Sequence, residues 1–176
     1  HINNQNELYL GLHYKLKKGW KTYWLSPGEG GFPQKIDWSK SNNVKNIEVL
    51  WPAPDEFEIL GFKSLGYLNE VVFPLKIIIK DTDKKTFVVL DVNYLVCENI
   101  CIPGNVHLEL IIPPGVGQMT EHFFIIEKSL SSIPLNNLEM SGIENVSAKA
   151  YADYCGAEYE LSHDRFFDQI DPRLDS

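Results

Sequence analysis

Residues 8–16, LYLGLHYKL, alternate apolar and polar side chains, and this period of two restricts the chain more than any other pattern it carries. Leu8, Leu10, Leu12, Tyr14 and Leu16 fall on one face of an extended strand. Gly19 interrupts the run, and Trp20, Thr22 and Trp24 alternate again. Residues 26–33, SPGEGGFP, hold the glycines and prolines of a long turn. A strand is predicted over 46–51, with Ile47, Val49 and Trp51 on one face and Pro52 and Pro54 ending it. Residues 55–69 read as irregular. Strands resume at 71–79, VVFPLKIII, at 86–96, TFVVLDVNYLV, and at 105–112, NVHLELII, until Pro113 and Pro114 close the region. Short strands separated by turn signals predict a β-sandwich.

The pattern changes after Gly117. Residues 119–131 carry helical spacing at Phe123, Ile126 and Leu130, with Thr120 as the expected cap and Pro134 beyond the end. Residues 135–145 read as linker, 146–154 and 157–162 as two further strands, and the rest as a tail. The expected organisation is therefore a mainly β sandwich domain over 1–115, a helix and linker over 116–145, and over 146–176 the start of a second β region or an extension packed on the first.

With 176 residues, the chain can bury a core without disulfide support. Its net charge of −8 argues against a nucleic-acid partner, since phosphate binding needs clustered Lys and Arg. Lys15, Lys17, Lys18 and Lys21 read as a solvated strand end. No apolar run reaches the roughly 20 residues that span a bilayer. The opening His1-Ile2-Asn3-Asn4 has no leader character and reads as a trimmed start, so the compartment has to be argued from chemistry.

That chemistry centres on Tyr94-Leu95-Val96-Cys97-Glu98-Asn99-Ile100-Cys101-Ile102-Pro103-Gly104. One strand ends and another begins around the cysteines, which places them at a hairpin-like tip where their Cα atoms could approach within about 4.4–6.8 Å. Three readings are open. A structural staple, the clip of a non-catalytic β-sandwich used for binding, would close five residues and stabilise by only about 2 kcal/mol, against nearly 5 for a long loop. A copper or zinc site would draw on Cys97, Cys101, His107 and Cys155 or His163, but the spacing is not that of zinc ribbons. A reversible dithiol/disulfide suits a short loop at an accessible tip. Glu98 adjoins Cys97 and the segment holds no Lys or Arg, so neither thiol is expected to be strongly activated. Cys155 is the odd cysteine and reads as a buried or incidental thiol, with an intermolecular or third redox thiol as the alternative. The tryptophans Trp20, Trp24, Trp38 and Trp51 read as core and sheet-edge packing.

Several blocks in order resemble one family: GWKTYW at 19–24 with SPGEGGFP at 26–33, IDWSKSNNV at 36–44, WPAPDEF at 51–57, GYLNEVVFPLKI at 66–77 and YLVCENICIPG at 94–104. Over roughly residues 8–115 the chain is similar to the N-terminal periplasmic domain of the membrane disulfide reductases DsbD and ScsB. The resemblance implies an immunoglobulin-like β-sandwich in the periplasm, as a domain of an inner-membrane protein. It implies that Cys97 and Cys101 accept electrons from the reductase's own membrane-embedded and thioredoxin-like domains. They would then reduce periplasmic thioredoxin-fold proteins, either disulfide isomerase-like or copper-resistance thioredoxin-like, and no cofactor is needed. In DsbD an aromatic loop caps the cysteines. The corresponding stretch here is Glu58–Ser64, with Leu60 and Phe62 as cap residues. Asn93 and Tyr94 are candidates for shaping the partner surface. Three residues separate the cysteines, fewer than in DsbD, so the spacing resembles the ScsB-like branch.

Overall fold

A computed structural model describes residues 6–59, 61–115 and 120–134, and the backbone of 147–151 and 158–162. The chain divides into two units, His1–Pro134 and Leu135–Ser176.

The first unit is built from two antiparallel sheets. One holds β1 (Glu7–Lys15), β7 (Glu70–Ile79) and β4 (Val44–Val49), with β7 in the centre. The other runs β3 (Lys35–Asp37), β8 (Thr86–Cys97), β2 (Lys21–Gly28), β6 (Phe62–Leu68) and β5 (Asp55–Ile59), and β9 (Cys101–Ile112) pairs with β8. The alternation along β1 does what its period requires. Leu8 and Leu12 are buried, with Leu10 and Tyr14 packed against the same core. Between the sheets, Leu8, Leu12, Val44, Ile47, Phe73, Leu75 and Ile77 meet Tyr67, Val88, Leu90 and Val92. Phe73 lies at the centre, ringed edge-on by Tyr14, Trp51 and Tyr67. Edge-to-face pairs of this kind add stabilisation beyond buried area. The architecture is the expected mainly β, immunoglobulin-like sandwich.

Four local expectations change. Residues 55–69 are not irregular: β5 and β6 form a hairpin with Ile59 paired to Phe62 and Gly61 at φ +85°. The alternation Phe57, Ile59 against Glu56, Glu58 is present in β5, but it is short. The strand β9 begins at Cys101 rather than at 105. Pro103 is tolerated because β9 has β8 on one side only among the described strands. The turn after Trp24 is shorter than 26–33, because β2 continues to Gly28 through a register shift. The strand predicted over 46–51 starts at Val44 and ends at Val49, leaving Trp51 beyond it but packed on Phe73.

The helix, α1, spans Phe123–Leu130. Thr120 is not its cap: His122 holds that position without a side-chain bond. Phe123, Ile126 and Leu130 are half-buried as the spacing predicts. Ile126 packs over Gly11 of β1, and the Ser129 hydroxyl donates to the Val72 carbonyl of β7. In the second unit, β10 (Ser147–Tyr151) and β11 (Glu158–Ser162) pair antiparallel. The predicted linker 135–145, Leu60, Cys155 and His163 lie outside the described residues.

Candidate functional site

The long β8–β9 ladder keeps register from Thr86 opposite Ile112 to Cys97 opposite Cys101. The cysteines are therefore the last facing pair before a three-residue tip, Glu98-Asn99-Ile100, which is exposed throughout. Directly opposed residues in an antiparallel pair approach most closely, and here the Cα atoms are 4.1 Å apart and the sulfurs form a disulfide. The two halves of that bond differ in environment. Cys97 is 0% exposed, whereas Cys101 is exposed.

Burial of Cys97 comes from a second, smaller apolar cluster formed by Tyr23, Ile59, Leu95 and Cys97, with Phe57 against it. Along β8, Val88, Leu90 and Val92 face the sandwich core and Tyr94 packs on Tyr14 beside it, while Leu95 and Cys97 have the opposite parity. Leu95 and Cys97 thus point to the outer face of their sheet, where the β5–β6 hairpin supplies Phe57 and Ile59. From β2, Tyr23 reaches the same face, and its ring lies 6.1 Å from that of Phe57. Gly31 closes over that ring so tightly that a Cβ there would stand 2.1 Å from a ring carbon.

The Tyr23 hydroxyl is the polar centre of the cluster. It donates toward the Gly30 carbonyl at 3.0 Å and toward Cys97 Sγ at 2.9 Å, with Cys101 Sγ at 3.8 Å. Burial pushes its acidity below that of an ordinary phenol, so it keeps its proton. Beside it, Thr22 Oγ1 donates to the Leu95 carbonyl, which ties β2 to the end of β8. Lys21 Nζ sits 5.9 Å from the centre of the Phe57 ring.

The other anticipated residues are placed unevenly. Phe62 is 48% exposed, so it is not a core residue, and its Cβ lies 3.4 Å from the position a Cβ would take at Gly30. It is thus next to the carbonyl that Tyr23 bonds. Asn93 shares the outward parity of Cys97 but is four residues back along β8, about 13 Å away at the rise of a strand. Tyr94 faces the other side, packed on Tyr14 and covering Gly104. Of the metal ligands in the alternative reading, His107 stands apart from the cysteine pair among the described residues. His107 is six residues along β9 from Cys101, with Nδ1 2.6 Å from Asp91 and Nε2 3.0 Å from Glu109.

Tyr23 and its neighbours Ile59 and Leu95 were not singled out from sequence. The available signal was adjacent large apolar residues, Tyr23-Trp24 and Tyr94-Leu95-Val96, which a strand with one solvated face would not carry.

The fold and this site define a β-sandwich domain with a thiol–disulfide exchange pair at a hairpin tip. The sequence profile described as "Thiol:disulfide interchange protein DsbD, N-terminal" matches residues 2–113, and the chain belongs to that family. Its structure is similar to the crystal structure of the N-terminal periplasmic domain of ScsB from Proteus mirabilis. The TM-score is 0.64 at 26% identity, over 85% of this chain and 56% of that one. The chain thus spans little more than half of that domain. No curated protein sequence matches it.

Proposed function

We propose that this domain works in the periplasm as a disulfide reductase module. It takes two electrons from a membrane-linked thioredoxin-like domain and delivers them to thioredoxin-fold proteins, isomerase-like or copper-resistance thioredoxin-like. The observation that carries the reading is the asymmetric disulfide: Cys101 exposed at a strand tip, Cys97 buried behind it. Attack on a disulfide runs along the S–S axis, and only an accessible sulfur can be reached by a bulky protein thiolate. Cys101 is then the sulfur that forms the mixed disulfide, and Cys97 is the leaving group and later the resolving thiol. Phe62, on the hairpin that covers the site, acts as a cap residue that a docking partner moves aside, and Asn93 contributes to the rim that the partner meets.

Trapping tests the reading. Cys97→Ser leaves Cys101 unable to resolve, so a thioredoxin-fold partner should accumulate as a covalent adduct, and Cys101→Ser should trap far less. Equal trapping by both variants, or none by either, overturns the assignment.

A second reading has one observation in its favour. Cys97 is sealed in an apolar cluster, as a structural clip would be. A reduction potential well below about −300 mV would mark the bond as a clip.

A further inference from the structure

We infer that Tyr23 is a catalytic residue of this exchange, its hydroxyl stabilising the Cys97 thiolate that forms when the disulfide opens. The inference rests on the function proposed above and adds to it the group that makes a buried sulfur a usable leaving group.

The need for such a group follows from burial. Cys97 sits at 0% exposure among Tyr23, Ile59 and Leu95. A thiolate without a hydrogen-bond donor in apolar surroundings is strongly disfavoured, and a poor leaving thiol slows exchange. The segment 94–104 contains no Lys or Arg. The donor comes from another strand, β2, as the Tyr23 hydroxyl 2.9 Å from Cys97 Sγ and 3.8 Å from Cys101 Sγ. The hydroxyl thus favours Cys97, the sulfur that receives the charge.

Its position is set on three sides. Gly31 presses on the ring, Phe57 packs beside it, and the Gly30 carbonyl accepts from the hydroxyl at 3.0 Å. In the disulfide, sulfur is a weak acceptor, so the single hydroxyl hydrogen is shared mainly with that carbonyl. A thiolate is a far stronger acceptor and draws the hydrogen to itself. The phenol proton stays on oxygen, because burial makes it harder to remove than in free tyrosine.

The step balances without any further reagent. A partner thiolate attacks Cys101 Sγ, forming the mixed disulfide. The Cys97–Cys101 bond breaks, and its electron pair leaves on Cys97 Sγ, where Tyr23 bonds it. The partner's second thiol loses its proton to water and attacks the partner sulfur of the mixed disulfide. Cys101 departs as a thiolate, and it and the Cys97 thiolate each take a proton from solvent. The domain's disulfide is reduced to a dithiol and the partner's dithiol is oxidised. In reverse, the same bond keeps Cys97 available to resolve.

Tyr23→Phe removes the hydroxyl and keeps the ring. In a Cys101→Ala background, the Cys97 thiol, followed by ultraviolet absorbance against pH, should titrate about one to two units higher in the Phe variant. With both cysteines present, reduction by dithiothreitol should slow about three- to thirtyfold. A folded Tyr23→Phe protein with unchanged titration and rate overturns the inference. If that variant does not fold, the unaltered reduced protein labelled with 13C at tyrosine Cζ decides. The Tyr23 signal must move with the Cys97 titration, and a signal that does not move overturns the proposal. The dithiothreitol arm needs no protein partner. Tyr23 dependence there, without trapping of any thioredoxin-fold protein, would sink the proposed function and leave this inference standing. Normal trapping with no Tyr23 dependence would do the reverse.

Discussion

Gly31 shows how a single residue governs the exchange site. A Cβ at this position would fall 2.1 Å from a Tyr23 ring carbon, so the ring must move if alanine is placed there. Overpacking of this kind costs typically about 1–3 kcal/mol. Gly31→Ala should therefore lower the urea midpoint and also slow reduction by dithiothreitol, because the hydroxyl moves with the ring. A variant with wild-type stability and rate would show that the loop yields instead. His107 offers a separate test. Its imidazole is held above the ordinary value of 6.5, first by the bond to Asp91 and then by that to Glu109. The Asp91 carboxyl is correspondingly held below its ordinary 3.8, by the Lys40 ammonium and then by His107. A raised folded-state value means that His107 favours folding in its protonated form. Its contribution is complete below about pH 6.5 and fades as pH rises through the raised value. The Asp91 contribution runs the other way, present above about pH 3.8 and lost as pH falls through the lowered value. His107 is exposed and Asp91 half-exposed, so the effect on stability is small, but proton NMR of the His107 ring should give a midpoint above 6.5. Asp91→Asn should bring it back down, and a midpoint at or below 6.5 in the unaltered chain would contradict the ion pair.

Among the elements, the connection before β4 is held by a side chain as well as by the backbone bridge between Asn42 and Phe87. Asn43 has φ +63°. Its Nδ2 donates to the carbonyls of Asp81 and Lys84 and to Thr86 Oγ1, and its Oδ1 accepts from the Asp81 amide. One amide thus anchors the entry to β4 on the turn between β7 and β8. Asn43→Ala loses these bonds and places a methyl in a left-handed conformation, at a cost of about 2 kcal/mol or more in urea unfolding. Asn43→Gly keeps the backbone freedom, so the difference between the two variants separates strain from lost bonds. A change below about 0.5 kcal/mol in both would mean that water replaces the side chain. At this scale most strands could be read from period-two alternation, as in β1, or from long β-branched runs, as in β7 and β8. The β5–β6 hairpin could not. Its alternation lasts five residues, and Gly66 owes its place to the β2 backbone, which would lie 2.0 Å from a Cβ there.

Across the whole molecule, the disulfide is a small part of stability. It closes five residues, for which chain entropy gives about 2 kcal/mol, while the sandwich core joins residues from both sheets around Phe73. Replacing Cys97 and Cys101 together by Ser should lower unfolding stability by about 2 kcal/mol or somewhat more, since Cys97 is buried, and leave a folded domain by circular dichroism. Complete loss of the folded state would instead favour the clip. By itself, the sequence determined the sandwich class, the approximate place of most strands and the location of the cysteine pair, because periodicity and turn residues act over short distances along the chain. Family resemblance supplied the redox role. Only tertiary structure decided that Cys97 is buried while Cys101 is open, and that a tyrosine 74 residues away in sequence touches the buried sulfur. Both facts depend on which strands become neighbours and which face of each strand is covered. Local pattern cannot encode those choices, since an apolar side chain looks the same whether it enters the main core or a second cluster on the opposite face.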